Sequence, residues 1–442
     1  MIRLLRILLP LSAVALAAAS AAPAFALDAV PGEVVVQYRP GTGAQAAAHG
    51  ADGHQVLKVQ DVSGTIRRLR ERPDVRYAVP NVRARMAATA GPAFIPNDPG
   101  NTETPGGWQS LQWNFAGEFG VRAPEAWANA IAAGAPGGRG VTVAVLDTGV
   151  AYRNKPPLRR SPDFSASQFV RGYDFVDRDR YPLDRNGHGT HVAATIAEAT
   201  NNGVGVTGLA YGARIMPVRV LDRAGEGNAA DIAEGVRYAA RRGAKIINLS
   251  LEFDAQVTAA DIPELLQAIS FARGRGAIVI AAAGNEGAAR IAYPARAWGV
   301  VSVGATTEHG CLAEFSNRGR GLDIVAPGGG ADAAIADDPN CGVSESMGRN
   351  IVQVTLFGRT ARRFGMPTTY EGTSMAVPHV SATAALVLAV GVLGPNPSPV
   401  TLERRLKDTA RDLGPVGRDT SYGAGLVDAA AATAPAGGGT GG

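Results

Sequence analysis

Short apolar runs alternate with amphipathic stretches along most of this chain. Five apolar, β-branched runs are predicted strands, at residues 141–146, 215–221, 245–250, 277–283 and 299–305. Helical periodicity fills the intervals at residues 189–199, 228–242 and 261–274, with a further helix after Ser374 and with Asn228 and Asp261 as N-caps. Strands of this kind are typical of a parallel sheet that is buried on both faces. The pattern therefore predicts an α/β fold of three layers, a doubly wound and mostly parallel sheet between helices.

The first 86 residues have a different pattern. Strands are predicted at 33–38, 55–60 and 75–82, and helices at 43–51 and 65–72. Two helices over a small antiparallel sheet account for this order, so we expect a separate small α+β domain. The stretch that follows, residues 86–105, is rich in Ala, Gly and Pro and is typical of an exposed linker where proteolysis occurs.

The amino terminus has the features of a secretory signal. Arg3 and Arg6 precede an apolar run that ends near Ala22, and residues 24–26 have the small-residue pattern of a cleavage site. The alternative is a membrane anchor, but the run is short and Ala-rich for a spanning helix. We therefore expect a secreted protein, extracellular or periplasmic, without stable membrane insertion. The predicted segments are a signal peptide at 1–26, the small domain at 27–90, the large domain at 91–434 and a flexible Gly-rich tail at 435–442.

Composition indicates a globular protein and argues against one class of partner. Hydrophobic residues make up 46% of the 442 residues and charged residues 19%. The formal net charge is +4, but residues 1–86 hold 11 Lys and Arg against 6 Asp and Glu, and the remainder holds 32 against 33. Nucleic-acid binding depends on clustered cations, so we expect no nucleic-acid partner. Export also permits a disulfide between Cys311 and Cys341, although two separate thiols remain the alternative.

An acid, a base and a nucleophile follow one another along the chain in three segments: 143–149, 186–193 and 371–378. Ser374 comes just before a helical run, so its hydroxyl is expected at a helix amino terminus, where free N–H groups favour negative charge. His188 can take and return a proton near neutral pH. Asp147 can hold the imidazole in one tautomer and stabilise its charged form. The combination predicts catalysis of acyl transfer, with peptide hydrolysis as the leading example.

Two other interpretations of these motifs are weaker. The Asp-Thr-Gly sequence at Asp147 is typical of an aspartic protease lobe, but the chain has no second copy. His191 follows His188 at a spacing that can bind a metal on a helix. The intervening Gly-Thr pair lacks the glutamate that metalloprotease helices place there, which argues against a metal.

The order Asp147, His188, Ser374 is that of the subtilisin-like serine proteases, or subtilases, and the three segments together resemble that family from about Gln112 to Asp428. The resemblance implies the subtilisin-like fold, serine endopeptidase activity on polypeptides, no cofactor for the chemistry, and His191 as a core residue. It also implies that residues 27–90 are a propeptide that acts as a chaperone and an intramolecular inhibitor. A permanent N-terminal domain is the alternative for that segment, and we expect a monomer.

The resemblance further implies an oxyanion hole and a substrate cleft. It assigns Asn285 as the side-chain donor of the oxyanion hole, with the Ser374 backbone N–H as the second donor. The implied substrate-binding residues are Ser250, Leu251, Glu252, Ala283 and Gly284. Glu252 departs from the family pattern, which has Gly there. Its carboxylate is expected either to act on charged substrate side chains at the cleft rim or to face solvent.

Calcium is common in this family, and the resemblance implies Gln112, Asp163 and Asn202 as side chains of a structural site. Such oxygen ligands suit Ca²⁺, and backbone carbonyls complete the shell. The match of Asn202 needs a one-residue shift of its loop, and two of the three side chains are uncharged. Ordinary hydrogen-bonded loop residues therefore remain the alternative.

Between residues 328 and 371 the chain is much longer than in compact subtilases. We expect this insertion to form a loop or hairpin near the cleft, tied by Cys311 and Cys341.

The complete prediction is a secreted serine endopeptidase that acts through an acyl-enzyme and matures by cutting itself within residues 86–105. A different acyl transfer on the same residues and a non-catalytic binding protein are the two alternatives. The second is weakened because Asp147, His188, Asn285 and Ser374 are all present.

Overall fold

The structure, a computed structural model, describes residues 29–39, 54–82, 93–102, 104–341, 347–358 and 361–435. Contacts divide the chain into two compact units, Met1–Ala88 and Thr89–Gly442. The predicted signal peptide, the predicted helix at 43–51 and nearly all of the predicted tail lie outside the described residues. The segment boundaries expected from the sequence therefore remain predictions.

The first unit contains an antiparallel sheet and one described helix. Its elements are strand β1 (Ala29–Tyr38), strand β2 (His54–Lys58), helix α1 (Val62–Arg70) and strand β3 (Val75–Val82). The strands pair in the order β2-β1-β3, and the Asp61 side chain caps α1 by accepting a 2.9 Å hydrogen bond from the Gly64 N–H. Apolar side chains from the strands and α1 form a small core: Val34, Val36, Tyr38, Leu69, Val75 and Ala78. The small α+β domain is confirmed, with α1 beginning three residues earlier than expected.

The second unit is built on a parallel sheet. Its strands are β4 (Thr142–Asp147), β5 (Tyr173–Asp174), β6 (Arg214–Arg219), β7 (Ile246–Leu249), β8 (Ile278–Ala282), β9 (Val300–Thr306) and β10 (Ile324–Pro327). Among the described residues these seven strands lie in the order β10-β9-β8-β7-β4-β6-β5, and every neighbouring pair is parallel. All five predicted strands are present, as β4, β6, β7, β8 and β9, so the doubly wound parallel sheet is confirmed.

Helices cover both faces of this sheet. They are α2 (Trp113–Ala116), α3 (Ala123–Ala132), α4 (His188–Ala197), α5 (Ala229–Arg241), α6 (Pro263–Gly274), α7 (Thr373–Val390), α8 (Pro399–Asp408) and α9 (Ala429–Thr433). Alternate residues of β4 face opposite sides, because successive side chains of a strand point to opposite faces. Val143 and Val145 join an apolar cluster with α4 and α7, whereas Ala144 and Leu146 join a second cluster with α5 and α6. The sheet is thus buried between two helical layers, as predicted.

The two predicted helix caps have different outcomes. Asn228 caps α5, since its side chain accepts a 2.9 Å hydrogen bond from the Asp231 N–H. The prediction for Asp261 is wrong: α6 begins at Pro263, after Ile262 as the N-cap residue. Proline is favoured in the first turn of a helix, because an N–H there has no carbonyl partner within the helix and its absence costs no hydrogen bond. Asp261 instead accepts hydrogen bonds from the N–H and the hydroxyl of Thr258, at 2.9 and 2.6 Å.

Helix α7 runs through the core. Of the helices in the described part of the chain, it alone has the length and apolar composition to cross a membrane. However, 78% of its apolar window is buried inside the protein, where it packs on the sheet and on α4. Its apolar character is therefore that of a central core helix.

The insertion between 328 and 371 contains a hairpin, as expected. Strands β11 (Thr355–Leu356) and β12 (Phe364–Gly365) pair antiparallel. The Thr355 hydroxyl donates a 2.6 Å hydrogen bond to the Gly187 carbonyl, directly before His188. The predicted disulfide is also confirmed: Cys311 and Cys341 are bonded, with their Cα atoms 4.8 Å apart. The insertion therefore supports the segment that carries the candidate base.

Candidate active site

The site residues lie at one edge of the parallel sheet, where neighbouring strands β8, β7 and β4 end. Asp147 is the last residue of β4, Ser250 directly follows β7, and Asn285 comes three residues after β8. The chain passes from β4 to β6 on one side and returns to β7 on the other, so the strand order reverses here. Such a reversal leaves a crevice beyond the carboxyl ends of the strands, which is where open α/β sheets bind ligands.

Asp147 and His188 are joined by a hydrogen bond. Oδ1 of Asp147 lies 2.8 Å from Nδ1 of His188 and also accepts a 2.7 Å bond from the Thr148 N–H. The carboxylate is fully buried, whereas the imidazole keeps 25% of its surface exposed. Because Asp147 engages Nδ1, Nε2 is the ring nitrogen left to exchange a proton in the cleft.

The pKa of His188 is raised above its ordinary value of 6.5. Burial by itself lowers this pKa, but the charge of Asp147 and its hydrogen bond to the ring outweigh burial. The buried Asp184 adds a further electrostatic effect in the same direction. The surroundings therefore strengthen His188 as a base and favour its protonated form once it has taken a proton.

Asp184 holds the loop before α4, a role that the sequence analysis missed. Its carboxylate accepts hydrogen bonds from backbone or hydroxyl groups of Thr148, Asn186, Gly187 and Thr190, at 2.6 to 3.0 Å. Gly187 has a φ of 118°, which L side chains rarely adopt, and a Cβ there would come 3.0 Å from the Tyr370 hydroxyl. These contacts fix the direction in which α4 starts and hence the position of His188.

Ser374 is the second residue of α7, so it lies at the helix amino terminus, as predicted. Gly372, just before the helix, has a φ of 141°, in the region that favours glycine. The Ser374 hydroxyl donates a 3.2 Å hydrogen bond to the Ser250 carbonyl, and the Ser250 hydroxyl donates a 2.8 Å bond to the Ser374 carbonyl. The Ser374 hydroxyl would therefore have to rotate away from Ser250 in order to donate to another acceptor.

Asn285 is held from two sides. Its Oδ1 accepts hydrogen bonds from the N–H and the hydroxyl of Thr373, at 2.8 and 2.9 Å. Its Nδ2 and its backbone N–H both donate to the Glu252 carboxylate, at 3.0 and 2.9 Å. Burial raises the pKa of Glu252, while the two hydrogen bonds from Asn285 oppose that effect. The Glu252 carboxylate is thus not turned into solvent. It lines the cleft and is bound to Asn285, the candidate oxyanion donor.

A cleft of about 640 Å³ brings the site together. His188 and Ser374 line it, and segments 224–227 and 250–254 border it. Ser250, Leu251 and Glu252 are among the lining residues, as predicted for substrate binding. Ala283 is instead buried in the core beside the sheet. Gly284 lies beneath Glu252, where an added Cβ would come 2.6 Å from the carboxylate.

His191 is a core residue. It is fully buried, its ring stacks on Tyr370 with centroids 4.2 Å apart, and its Nε2 lies 3.0 Å from the Ile351 carbonyl oxygen. Burial lowers its pKa to about 3, so the ring is neutral. The nitrogen near Ile351 therefore donates, which is a structural contact and not metal ligation.

The structure brings together two of the three residues expected at a calcium site. Asn202 donates a 2.8 Å hydrogen bond from Nδ2 to Asp163. Asp98, which the sequence analysis missed, joins this loop because its carboxylate accepts from the N–H groups of Asn201 and Asn202, at 2.7 and 3.0 Å. Gln112 is engaged elsewhere: it accepts from the Thr207 N–H at 3.0 Å and donates to the Thr207 carbonyl at 2.8 Å.

The chemistry of this loop suits a hard cation. Burial and the charge of Asp98 raise the pKa of Asp163 to about 7, and burial also raises the pKa of the neighbouring Glu198, so three buried acids lie here without full compensation. Across the described residues no three His, Cys, Asp or Glu side chains are grouped to hold one ion. A calcium ion would therefore need backbone carbonyl oxygens in addition to Asp98, Asp163 and Asn202, which is the mixed shell that Ca²⁺ accepts.

Comparisons with known proteins assign the family. Residues 138–425 match the model of the subtilase family, Peptidase_S8, and residues 15–81 match the fervidolysin N-terminal prodomain. This chain belongs to the subtilase family: it is a subtilisin-like serine protease with an N-terminal prodomain.

Individual relatives agree with this assignment. The thermophilic serine proteinase of Bacillus sp. (strain AK1) is 33% identical over 89% of this chain and 86% of its own length. Subtilisin Savinase of Lederbergia lenta is 38% identical over 74% of this chain and 99% of its own length. Among solved structures, a protease of Pseudoalteromonas arctica PAMC 21717 aligns with a TM-score of 0.61 and 32% identity, over 77% of this chain and 99% of that one.

Proposed function

We propose that this subtilase is a secreted serine endopeptidase in which Ser374 is the nucleophile, His188 the general base and acid, and Asp147 the residue that orients His188. The observation that carries the proposal is the 2.8 Å hydrogen bond between Asp147 and His188, in a cleft that Ser374 also lines. Nucleophile, base and orienting acid are the parts that peptide hydrolysis at neutral pH requires.

The chemistry follows from these positions. The Ser374 hydroxyl turns from Ser250 to Nε2 of His188, which takes the proton as Oγ attacks the peptide carbonyl carbon. The resulting oxyanion is stabilised by the side-chain N–H of Asn285 and the backbone N–H of Ser374. His188 then gives the proton to the leaving amine, the C–N bond breaks, and an acyl ester remains on Ser374. Water, deprotonated by His188, attacks this ester; the bond between the acyl carbon and Oγ of Ser374 breaks, His188 returns the proton to Oγ, and the carboxylic acid product leaves.

The prodomain indicates that the protease is made as a precursor. We propose that residues 27–90 assist folding and inhibit the enzyme, and that the protease removes them by cutting within 86–105. Residues 1–26 would direct export, to the medium or the periplasm, and the mature enzyme would act as a monomer. This arrangement keeps a secreted protease inactive until it has folded outside the cytoplasm.

Calcium has a structural role in this proposal. Asp98, Asp163 and Asn202 would hold the ion together with backbone carbonyls of the loop that follows α4. The ion would neutralise the two buried carboxylates and stabilise the loop. It takes no part in the reaction, which the proposal assigns to Ser374, His188, Asp147 and Asn285.

The test is the intact mass of the secreted protein, measured for the wild type, Ser374→Ala and a control, Ser110→Ala. Ser110 is exposed and lies outside the cleft. The wild type and the control should lose the prodomain and hydrolyse a peptide substrate, whereas Ser374→Ala should keep the prodomain and show no hydrolysis. Full hydrolysis by Ser374→Ala would overturn the assignment of the nucleophile. Trimming of Ser374→Ala without hydrolysis would show that another protease removes the prodomain.

A further inference from the structure

The Glu252 carboxylate covers the donor that the reaction needs for its oxyanion. Both of its oxygens are engaged by Asn285, one by Nδ2 at 3.0 Å and the other by the backbone N–H at 2.9 Å. A carboxylate bound by amide N–H groups in this way resembles the negatively charged oxygen that the hole would stabilise during peptide hydrolysis.

Glu252 is not needed to orient Asn285. The amide oxygen of Asn285 is fixed independently, because it accepts from both the N–H and the hydroxyl of Thr373. These two bonds hold the amide oxygen through contacts that do not involve Glu252. The Glu252 carboxylate therefore occupies the Nδ2 donor of Asn285 and does not contact its Oδ1 acceptor.

A negative charge at this position opposes catalysis. The transition state places negative charge on an oxygen within hydrogen-bond distance of Asn285, and Glu252 already lies at that distance from the same nitrogen. Two like charges in a partly buried cleft repel each other strongly, since the local dielectric is below that of water. The carboxylate must therefore move away before the oxyanion can form.

The same short segment also engages the nucleophile. Ser250 lies two residues before Glu252. Its carbonyl accepts a hydrogen bond from the Ser374 hydroxyl, and its hydroxyl donates one to the Ser374 carbonyl. The family resemblance implies that the substrate binds along this segment, and the geometry of the cleft agrees in that residues 250–252 line the same cleft as Ser374. Contacts made by the remote parts of a long peptide can supply the free energy that displaces a competing group at the reacting centre.

We infer that Glu252 is a specificity-determining residue that selects for long peptide substrates, by covering the Asn285 donor until an extended chain on segment 250–252 displaces its carboxylate. The inference rests on the proposed function. A short substrate makes too few contacts to displace Glu252 and is cleaved slowly, whereas a long one is cleaved at a rate less dependent on Glu252.

The test compares two uncharged p-nitroanilide substrates with the same residue before the scissile bond, one a single blocked residue and the other a blocked tetrapeptide. Glu252→Gln keeps the side-chain shape and removes the charge. We expect it to raise kcat/KM for the short substrate about tenfold, equivalent to about 1.4 kcal/mol, and to change kcat/KM for the long one much less. An unchanged ratio of the two kcat/KM values, or a fall for both substrates, would overturn the inference.

Two further variants isolate the contact. Glu286→Gln removes an exposed neighbouring charge without touching the Asn285 side chain, so the ratio should stay at the wild-type value. In an Asn285→Ala background, Glu252→Gln should no longer alter the ratio, because its partner is absent. An equal effect of Glu286→Gln, or a persisting effect without Asn285, would assign the result to general charge and overturn the inference.

Wild-type activity and a second variant at position 252 separate a failure of this inference from other causes. A wild-type enzyme that cleaves neither substrate would contradict the proposed function itself, which is distinct from an active enzyme with an unchanged ratio. Glu252→Asp provides a second variant in case Glu252→Gln does not fold. It keeps the charge but shortens the side chain, so it should shift the ratio in the same direction by a smaller factor.

Discussion

Asp147 and His188, on one side of the cleft, already make the contact that acid–base catalysis requires, whereas Ser374 and Asn285, on the other side, are bound to the chain's own segment 250–252. The first pair is fixed by hydrogen bonds of the buried Thr148. Its N–H donates to Asp147, and its hydroxyl donates to Asp184 and accepts from the N–H of Gly189 in α4. The second pair must give up its present partners when a substrate arrives.

This difference has a physical reason. A base that is oriented by a buried carboxylate keeps the same partner throughout the reaction, so its contacts can be permanent. A nucleophile and an oxyanion donor must present free hydrogen-bonding groups to the substrate. Groups of that kind find other partners in an empty cleft, because an unpaired polar group near the protein interior costs about 1–3 kcal/mol. The comparison predicts that substitutions on the two sides will differ in size and in kind.

The largest effect should come from breaking the acid–base side. In Asp147→Asn the amide can no longer stabilise the protonated imidazole, and it favours the wrong tautomer of His188. We expect kcat on a peptide substrate to fall by roughly 10⁴. The matched control is Asp254→Asn, which removes an exposed acid at the border of the same cleft. Its kcat should remain within a few-fold of the wild type, and a similar loss in both variants would contradict a special role for Asp147.

The oxyanion side should show the next largest effect. Asn285→Ala removes one of two donors to the oxyanion, so kcat should fall by roughly 10²–10³ while KM changes little. Thr373→Val is the matched comparison, since it removes only one of the two hydrogen bonds that hold the Asn285 oxygen. Its loss in kcat should be smaller, about tenfold. Equal losses in the two variants would mean that Asn285 acts mainly through the fold.

Much of this arrangement could be predicted from the sequence, because local patterns encode it. The apolar runs of the five predicted strands are continuous, and each strand is buried on both faces in the structure. Asp147, His188 and Ser374 stand in distinctive short motifs, with Asp147 at the end of a strand and His188 and Ser374 at the starts of helices. The two cysteines were few enough to make their pairing a natural expectation, which the structure confirms.

The remaining features depend on contacts between distant residues and on side-chain direction. Asp98 contacts Asn201 and Asn202, which lie 103 and 104 positions further along the chain, and no periodicity marks such a contact. Gln112 was expected to be a calcium ligand, but its side-chain oxygen accepts a hydrogen bond from the Thr207 N–H. Glu252 was recognised as unusual, yet only its rotamer places the carboxylate on Asn285. These outcomes follow from packing, which a linear pattern does not record.

Removal of calcium should act on the acid–base side through stability. The loop that contains Asn202, which donates to Asp163, directly follows α4, the helix that begins with His188. We expect calcium at a hundred times its dissociation constant to add about 2.7 kcal/mol to the free energy of unfolding. Thermal unfolding with calcium and with a chelator should show this as a higher Tm with the ion.

Asp98→Asn should lose most of that calcium-dependent shift, because one of the two carboxylates is gone. Asp408→Asn, an exposed acid at the end of α8, is the control and should keep the full shift. No shift in the wild type would remove calcium from the proposal. An undiminished shift in Asp98→Asn would place the ion elsewhere.

The smallest effect concerns the pH at which the acid–base side becomes active. In the proposed mechanism neutral His188 is the base, so kcat/KM should rise with pH as the ring loses its proton. The midpoint of this rise reports the pKa of His188 in the free enzyme. Asp147 raises that pKa, so the midpoint should lie above pH 6.5. Asp184 contributes in the same direction; burial raises the pKa of Asp184 itself, and the hydrogen bonds that it accepts from four neighbouring residues oppose that effect. Asp184→Asn should therefore move the midpoint to lower pH, whereas Asp408→Asn should leave it in place. A midpoint unchanged by Asp184→Asn would mean that Asp147 alone, and not Asp184, raises the pKa of His188.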